Sequence, residues 1–210
     1  MKVVLFNGSP RKEGNTYHAM KMLETELQNE GIDTEILHIG GSVIRGCTAC
    51  GMCAKNKDEK CVLNDEVNGW IQSIKDADGI ILASPVYSAD ITGTMKSFLD
   101  RAFYVSYVNE SLFRYKVGAS VAVSRRSGGM PAFNQLNNYL TYSQMMIPTS
   151  NYWNVIYGSI PGDVNYDEEG KQILRVLGKN MAWLMKLVEA GKDTIKEPEQ
   201  EKKSFMNFIR

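Results

Sequence analysis

Residues 79 to 83 read Gly-Ile-Ile-Leu-Ala and stop at Ser84-Pro85. A strand with no polar interruption has no solvent face. It must be covered on both sides, and sheets covered on both faces are typically parallel sheets with crossover helices. The rest of the chain supplies the partners. Val3 to Asn7 is a short apolar run ending in a glycine-containing turn, and Asp33 to Ile39, Val117 to Ser124 and Val155 to Gly158 complete five candidate strands. Thr16 to Asn29 carries Ala19, Met20, Met22, Leu23 and Leu27 at helical spacing. Asn64 predicts a helix cap, with Asp65 and Glu66 in the first turn and Val67, Trp70, Ile71 and Ile74 as the buried stripe. Further helices are expected from Thr92 to about Phe103, Pro131 to Met146 and Asp167 to Glu189. Five strands alternating with five helices predict an α/β fold, a doubly wound five-stranded parallel sheet with helices on both faces.

At 210 residues and 43% hydrophobic content the chain suits one globular domain, expected over residues 1–192, with a cysteine-rich insertion at 45–63. Residues 193–210 read as a C-terminal arm, highly charged around Pro198 and closing on an apolar patch, Phe205 to Ile209. Lys plus Arg and Asp plus Glu both number 24, and no basic stripe interleaves with aromatics, so no nucleic-acid partner is expected. No apolar run approaches the roughly 18 residues of a membrane helix, so no membrane partner is expected either. Met1-Lys2 leads into only four apolar residues before Asn7-Gly8-Ser9, too short for an export signal, which makes the expected location cytoplasmic.

All four cysteines, Cys47, Cys50, Cys53 and Cys61, fall within fifteen residues, and no histidine lies among them. Three thiols three residues apart can surround a common point when Gly46 and Gly51 loosen the turns, and a fourth returning later can close a tetrahedral thiolate shell, as in a 4Fe-4S cluster. Structural zinc prefers two separated C-x2-C pairs, and two overlapping steps sharing Cys50 fit it less well. A redox dithiol, or four free thiols, also remains open.

In a doubly wound sheet, ligands sit beyond the carboxyl ends of the strands, where the winding reverses. Three loops at such ends are chemically unusual. Asn7 to Thr16 offers hydroxyls, an amide, cations and backbone N–H groups at a helix N-terminus, where an anion such as a phosphate is favoured. It has neither the G-x-G-x-x-G of a dinucleotide turn nor the lysine of a P-loop, since Asn15 stands where lysine would be; a C-x5-R nucleophile is also absent. What remains is a monophosphate cradle without hydrolytic machinery. The second loop, Ser84 to Gly93, stiffens at Pro85 and presents Tyr87 to a flat ring. The third, Ser124 to Met130, sets Arg125 and Arg126 beside the permissive Gly128 and Gly129. Together the loops imply a flat, phosphorylated ligand. His18 and His38 are expected to be surface or structural histidines.

Gly8-Ser9-Pro10-Arg11 with Gly14-Asn15-Thr16, then Ser84-Pro85-Val86-Tyr87, then Thr92-Gly93-Thr94-Met95-Lys96-Ser97-Phe98-Leu99-Asp100-Arg101, resembles the NAD(P)H-dependent FMN reductases of the flavodoxin-like superfamily. The cysteine block between the second and third strands resembles the iron-sulfur flavoproteins within it, and the likeness extends to Phe208-Ile209-Arg210. The resemblance implies noncovalent FMN, its phosphate on Ser9, Arg11, Gly14, Asn15 and Thr16. It places the flavin ring between Pro85, Val86, Tyr87 and Ser88 on one side and Ser124, Arg125, Gly128 and Gly129 on the other.

The same resemblance implies that the chemistry resides on the flavin, with no catalytic side chain required. NAD(P)H or a ferredoxin-like protein would be the donor, and a flavin, quinone or similar small molecule the acceptor, with Cys47, Cys50, Cys53 and Cys61 holding a 4Fe-4S cluster. Two further readings stay open: an electron carrier between protein partners without small-molecule turnover, and a nonenzymatic module with structural zinc. A homodimer or homotetramer is implied, for which Tyr104 to Tyr107 and Tyr139 to Met146 are the candidate surface.

Overall fold

The uninterrupted strand at Gly79 sits at the centre of the molecule. In the computed structural model, which describes residues 1–201 and 203–206, β1 (Lys2–Asn7) lies between β2 (Asp33–His38) and β3 (Gly79–Pro85), and β4 (Val117–Ser124) and β5 (Val155–Tyr157) extend the sheet beyond β3. All neighbours pair in parallel, in the order β2-β1-β3-β4-β5. The chain winds outward from β1 to β2, then crosses back to β3, so the winding reverses between β1 and β3. The doubly wound fold expected from the alternation is the fold observed.

Strand residues alternate between two cores, as a pleated strand requires. Val3, Leu5, Ile81 and Ala83 pack with Leu23 and Leu27 of α1 (Asn15–Asn29) and with Leu174 and Leu177 of α6 (Glu168–Gly191). Val4, Phe6, Ile80 and Leu82 face the opposite layer of α3 (Val67–Asp76), α4 (Gly93–Val108) and α5 (Gly129–Tyr142). Each such side chain, fully removed from water, contributes about 1.5–3 kcal/mol. A short α2 (Met52–Asn56) belongs to the cysteine segment and lies against α4.

Element ends differ from expectation for local reasons. Asn64 does not cap α3; the Asp65 carboxylate accepts the Val67 N–H at 3.2 Å instead. α4 runs five residues past Phe103 because the apolar layer continues through buried Val105 and the buried Ser106 hydroxyl accepts the Phe113 N–H. α5 stops at Tyr142, short of Met146, which leaves the helix to bond the edge of β4: the Gly118 N–H donates to its carbonyl at 2.9 Å. The long α6 ends at Gly191, and the following segment folds back through Arg114 Nη2 to the Pro198 carbonyl and Gln200 Nε2 to Ser111 Oγ. Phe205 and Met206 stay exposed rather than docked, while Asn207, Phe208, Ile209 and Arg210 lie outside the described residues. Among the described residues, no helix is long and apolar enough to cross a membrane.

Candidate functional site

The turn after β1 is held from four sides. Asn7, fully buried, accepts the Ser9 N–H on its side-chain oxygen and donates to the Lys12 carbonyl. The Gly8 N–H donates to the Ala83 carbonyl of β3, and the Thr92 hydroxyl donates to the Gly8 carbonyl at 2.8 Å. From β2, His38 Nε2 donates to the Ser9 carbonyl at 2.8 Å, which fixes the proton on that nitrogen and makes His38 a structural clasp. Gly40 completes the enclosure: a Cβ there would lie 2.3 Å from the carbonyl carbon and oxygen of Ser9.

What this frame leaves open is the N-terminus of α1. Its cap residue is Gly14, without a side-chain cap, and the first amide bond into the helix runs from His18 N–H to the Gly14 carbonyl. The N–H groups of Asn15, Thr16 and Tyr17 therefore have no acceptor among the described residues, as expected of a first turn without a cap. Thr16 is buried, and its Oγ1 is the one buried side-chain polar atom without a hydrogen-bond partner among the described residues. A buried hydroxyl left unpaired costs about 1–3 kcal/mol. Asn15 is partly committed, its Oδ1 accepting the Gly162 N–H at 2.8 Å, and Ser9 Oγ accepts the Arg11 N–H at 3.2 Å. Arg11 itself is exposed. An orphaned hydroxyl, unpaired amides and the positive end of a helix dipole together suit a phosphate monoester.

The second and third loops meet at the same rim. Tyr87 and Asp90 exchange backbone hydrogen bonds across Ser88 and Ala89, whose φ values of 50° and 60° place two side-chain-bearing residues in the left-handed region. Such backbone costs on the order of 1–3 kcal/mol per residue and persists where surrounding structure enforces it. Part of the enforcement comes from Gly128, at φ 84°, where a Cβ would sit 2.9 Å from both Ala89 Cα and Val86 Cγ1. Tyr87 and Ser88 are exposed, Pro85 and Val86 half-buried. Ser124 is buried and spends its hydroxyl on the Ser127 carbonyl, so it shapes its loop rather than facing outward, while Arg125 stands in solvent and Gly129 packs against Val155.

The cysteine segment lies lengthwise along α4. Gly46 approaches Ser97 near the rim, and Lys57 Nζ reaches the Val108 carbonyl at the far end, where Asn109 also receives the Glu59 N–H. The seven residues before Cys61 are thus folded onto the body despite their charge. Cys47 and Cys50 are exposed, Cys61 half-buried and Cys53 buried. Burial first, then the neighbouring Cys61 and Cys50, pushes the Cys53 thiol up, whereas the Met52 N–H, then Thr48, pulls Cys50 down. Among the described residues no group of three or more His, Cys, Asp or Glu is gathered as ligands of one metal ion. A four-iron cluster places its own iron-sulfide cube between the thiolates, so its ligands stand farther apart than those of a single ion. Four cysteines within one fifteen-residue segment are the kind of thiolate donor set such a cluster requires.

Several residues that build this site carry no local sign of that role. Thr92 marks a helix start in the sequence but not the tether of Gly8, and the contacts made by Asn68, Arg101 and the loop from Gly158 to Gly162 are encoded by neither periodicity nor spacing. The candidate oligomer surface is divided: Tyr104 and Tyr142 are exposed, but Val105, Ser106 and Met145 are buried in the core. A cavity of about 930 Å³ lies away from the rim, between the C-terminal turn of α4, Tyr142 to Gln144, and Gln200, Glu201, Lys203, Ser204 and Phe205.

Residues 1–159 match the family model described as NADPH-dependent FMN reductase. An iron-sulfur flavoprotein from Methanocaldococcus jannaschii is 34% identical over 196 residues, covering 90% of this chain and all of that protein. Among solved structures, the flavoenzyme NAD(P)H:(acceptor) oxidoreductase FerB from Paracoccus denitrificans superposes with a TM-score of 0.66 at 17% identity, over 89% of this chain and 97% of that one. A flavodoxin from the domain Archaea gives 0.59 at 15% identity, over 89% and 99%, a likeness of fold.

Proposed function

The chain belongs to the NADPH-dependent FMN reductase family, and from that premise we propose that it is an FMN-dependent oxidoreductase of the iron-sulfur flavoprotein type. It takes electrons from NAD(P)H or a ferredoxin-like protein and passes them to a small acceptor such as a flavin or quinone. The observation that carries this reading is the unpaired Thr16 hydroxyl beneath the uncapped N-terminus of α1. A phosphate monoester satisfies both, whereas a bare ring satisfies neither.

Bound FMN supplies the redox chemistry, and the chain supplies binding, orientation and access. Thr16, the first-turn amides, Asn15 and Ser9 would hold the phosphate, and the exposed Arg11 would add positive charge beside them. Pro85, Val86, Tyr87 and Ser88 would form one wall of the ring site and Arg125 and Gly128 the other, with buried Ser124 and Gly129 holding the shape of that second loop and Gly128 seated against Ala89. Cys47, Cys50, Cys53 and Cys61 hold a 4Fe-4S cluster, whose chemistry is one-electron transfer. No side chain is asked to act as acid or base. A cytoplasmic location belongs with this reading, since thiols that hold a cluster must stay reduced. So does assembly into two or four copies: β5 is a three-residue edge strand, and Tyr152, Trp153 and Tyr157 stand exposed around it.

A second reading, an electron carrier between proteins, is favoured by the exposure of Cys47 and Cys50, which leaves a centre bound there open to a docking partner. Anaerobic purification, with an absorption spectrum, iron, sulfide and zinc assays and reduction trials, separates the cases. The oxidoreductase gives a flavin spectrum bleached by NAD(P)H or reduced ferredoxin, with turnover of a small acceptor. Bleaching by ferredoxin alone, without turnover, selects the carrier. A colourless protein containing zinc overturns both.

A further inference from the structure

Arg101 is the bulkiest fully buried side chain among the described residues, and it carries a charge. All five of its N–H donors are used. Nε donates to Cys61 Sγ at 3.4 Å; Nη1 to the Arg45 carbonyl at 3.1 Å and Asp65 Oδ2 at 2.6 Å; Nη2 to the Leu63 carbonyl at 3.2 Å and Asp65 Oδ1 at 2.8 Å. One guanidinium thus joins the chain entering the cysteine segment, at Arg45, to the chain leaving it, at Cys61, Leu63 and Asp65. Asn68 holds the same cysteine by its backbone, accepting the Cys61 N–H at 2.8 Å and donating to its carbonyl at 3.0 Å. Cys61 is therefore fixed at its main chain and at its sulfur, although seven residues separate it from Cys53.

Only a planar fork with five donors can make this set of contacts, and lysine, with three donors about one point, cannot. The charge also has a direction of effect. A cluster that gains an electron gains a negative charge, and hydrogen bonds and net charge at its sulfurs set its potential. A buried cation donating to a ligand sulfur stabilises the reduced form, and the carboxylate paired with that cation works against it.

We infer that Arg101 is the positioning residue of Cys61, and that the Arg101–Asp65 pair sets the reduction potential of the cluster held there, Arg101 raising it and Asp65 lowering it. This rests on the reading that the four cysteines hold a 4Fe-4S cluster. The test is an anaerobic dithionite titration followed by electron paramagnetic resonance, on holoprotein of the wild type, Arg101→Lys, Arg101→Met and Asp65→Asn, with iron and sulfide assayed in each. The expected result is a lower midpoint in both Arg101 variants and a higher one in Asp65→Asn, each by at least a tenfold change in the reduction equilibrium, about 59 mV for one electron. Asp65→Asn retains the buried guanidinium and the apolar packing, so it decides the matter where Arg101→Met does not fold. Equal midpoints in cluster-bearing wild type and Asp65→Asn overturn this inference alone. A wild type without iron and sulfide overturns it together with the cluster reading.

Discussion

The hydroxyl of Thr92 donates to the carbonyl of Gly8, 84 residues earlier in the chain, at 2.8 Å. The same oxygen accepts the Met95 N–H and so caps α4, while the Thr92 N–H donates to Ser84 Oγ. One residue thereby ties the turn after β1 to the loop after β3 at the point where the winding reverses. Thr92→Val keeps the shape and loses the cap and the tether. We expect a stability loss of about 1–2 kcal/mol in urea denaturation and weaker FMN binding by fluorescence titration; unchanged FMN affinity would show that the tether does not organise the cradle.

Thr16→Val separates binding from stability. In the ligand-free protein the substitution removes a buried, unpaired hydroxyl, so stability is expected to hold or rise. FMN affinity is expected to fall by about 1.5–3 kcal/mol, the worth of a hydrogen bond to a charged group. Riboflavin, lacking the phosphate, should bind wild type and variant alike. A variant that loses both ligands equally would place the phosphate elsewhere.

Asn15→Asp tests the charge of the same pocket. Its Oδ1 already accepts the Gly162 N–H, and a carboxylate oxygen keeps that bond, so the fold is expected to survive. The added negative charge and the lost donor should weaken FMN by on the order of 1–3 kcal/mol. Measuring affinity at low and high salt checks the origin of the effect, because repulsion in a partly exposed site is screened.

Tyr139 supplies a pH signature outside the site. Burial first, then its hydrogen bond to Asp100, pushes its phenol from 10.0 up to about 12, with Lys96 opposing. A raised folded-state value contributes stability that is complete below pH 10 and is lost as pH rises toward 12. Because this phenol is only half-buried, solvent screening keeps the loss below about 2 kcal/mol. Tyr139→Phe should flatten the stability profile across that window, and a phenolate absorbance titration locates the group directly. An unchanged alkaline profile in the variant rules this tyrosine out as its source.

The layers and the chemistry offered to the rim are legible in the chain residue by residue. Gly79 to Ala83 has no face to show to water, and short apolar runs alternate along the chain with segments of helical period, so a parallel sheet covered on both faces follows from burial. The turn from Gly8 to Thr16 and the four cysteines were legible as motifs because their residues are neighbours in the chain. What holds those motifs still emerges from the folded packing. His38 on Ser9, Gly40 beside Ser9, Thr92 on Gly8, Gly162 on Asn15 and Arg101 on Cys61 are all pairings across 29 to 147 residues of chain. No local pattern encodes such a contact, because each partner satisfies an ordinary local role, a strand end, a helix cap or a loop glycine, until the sheet brings the two together.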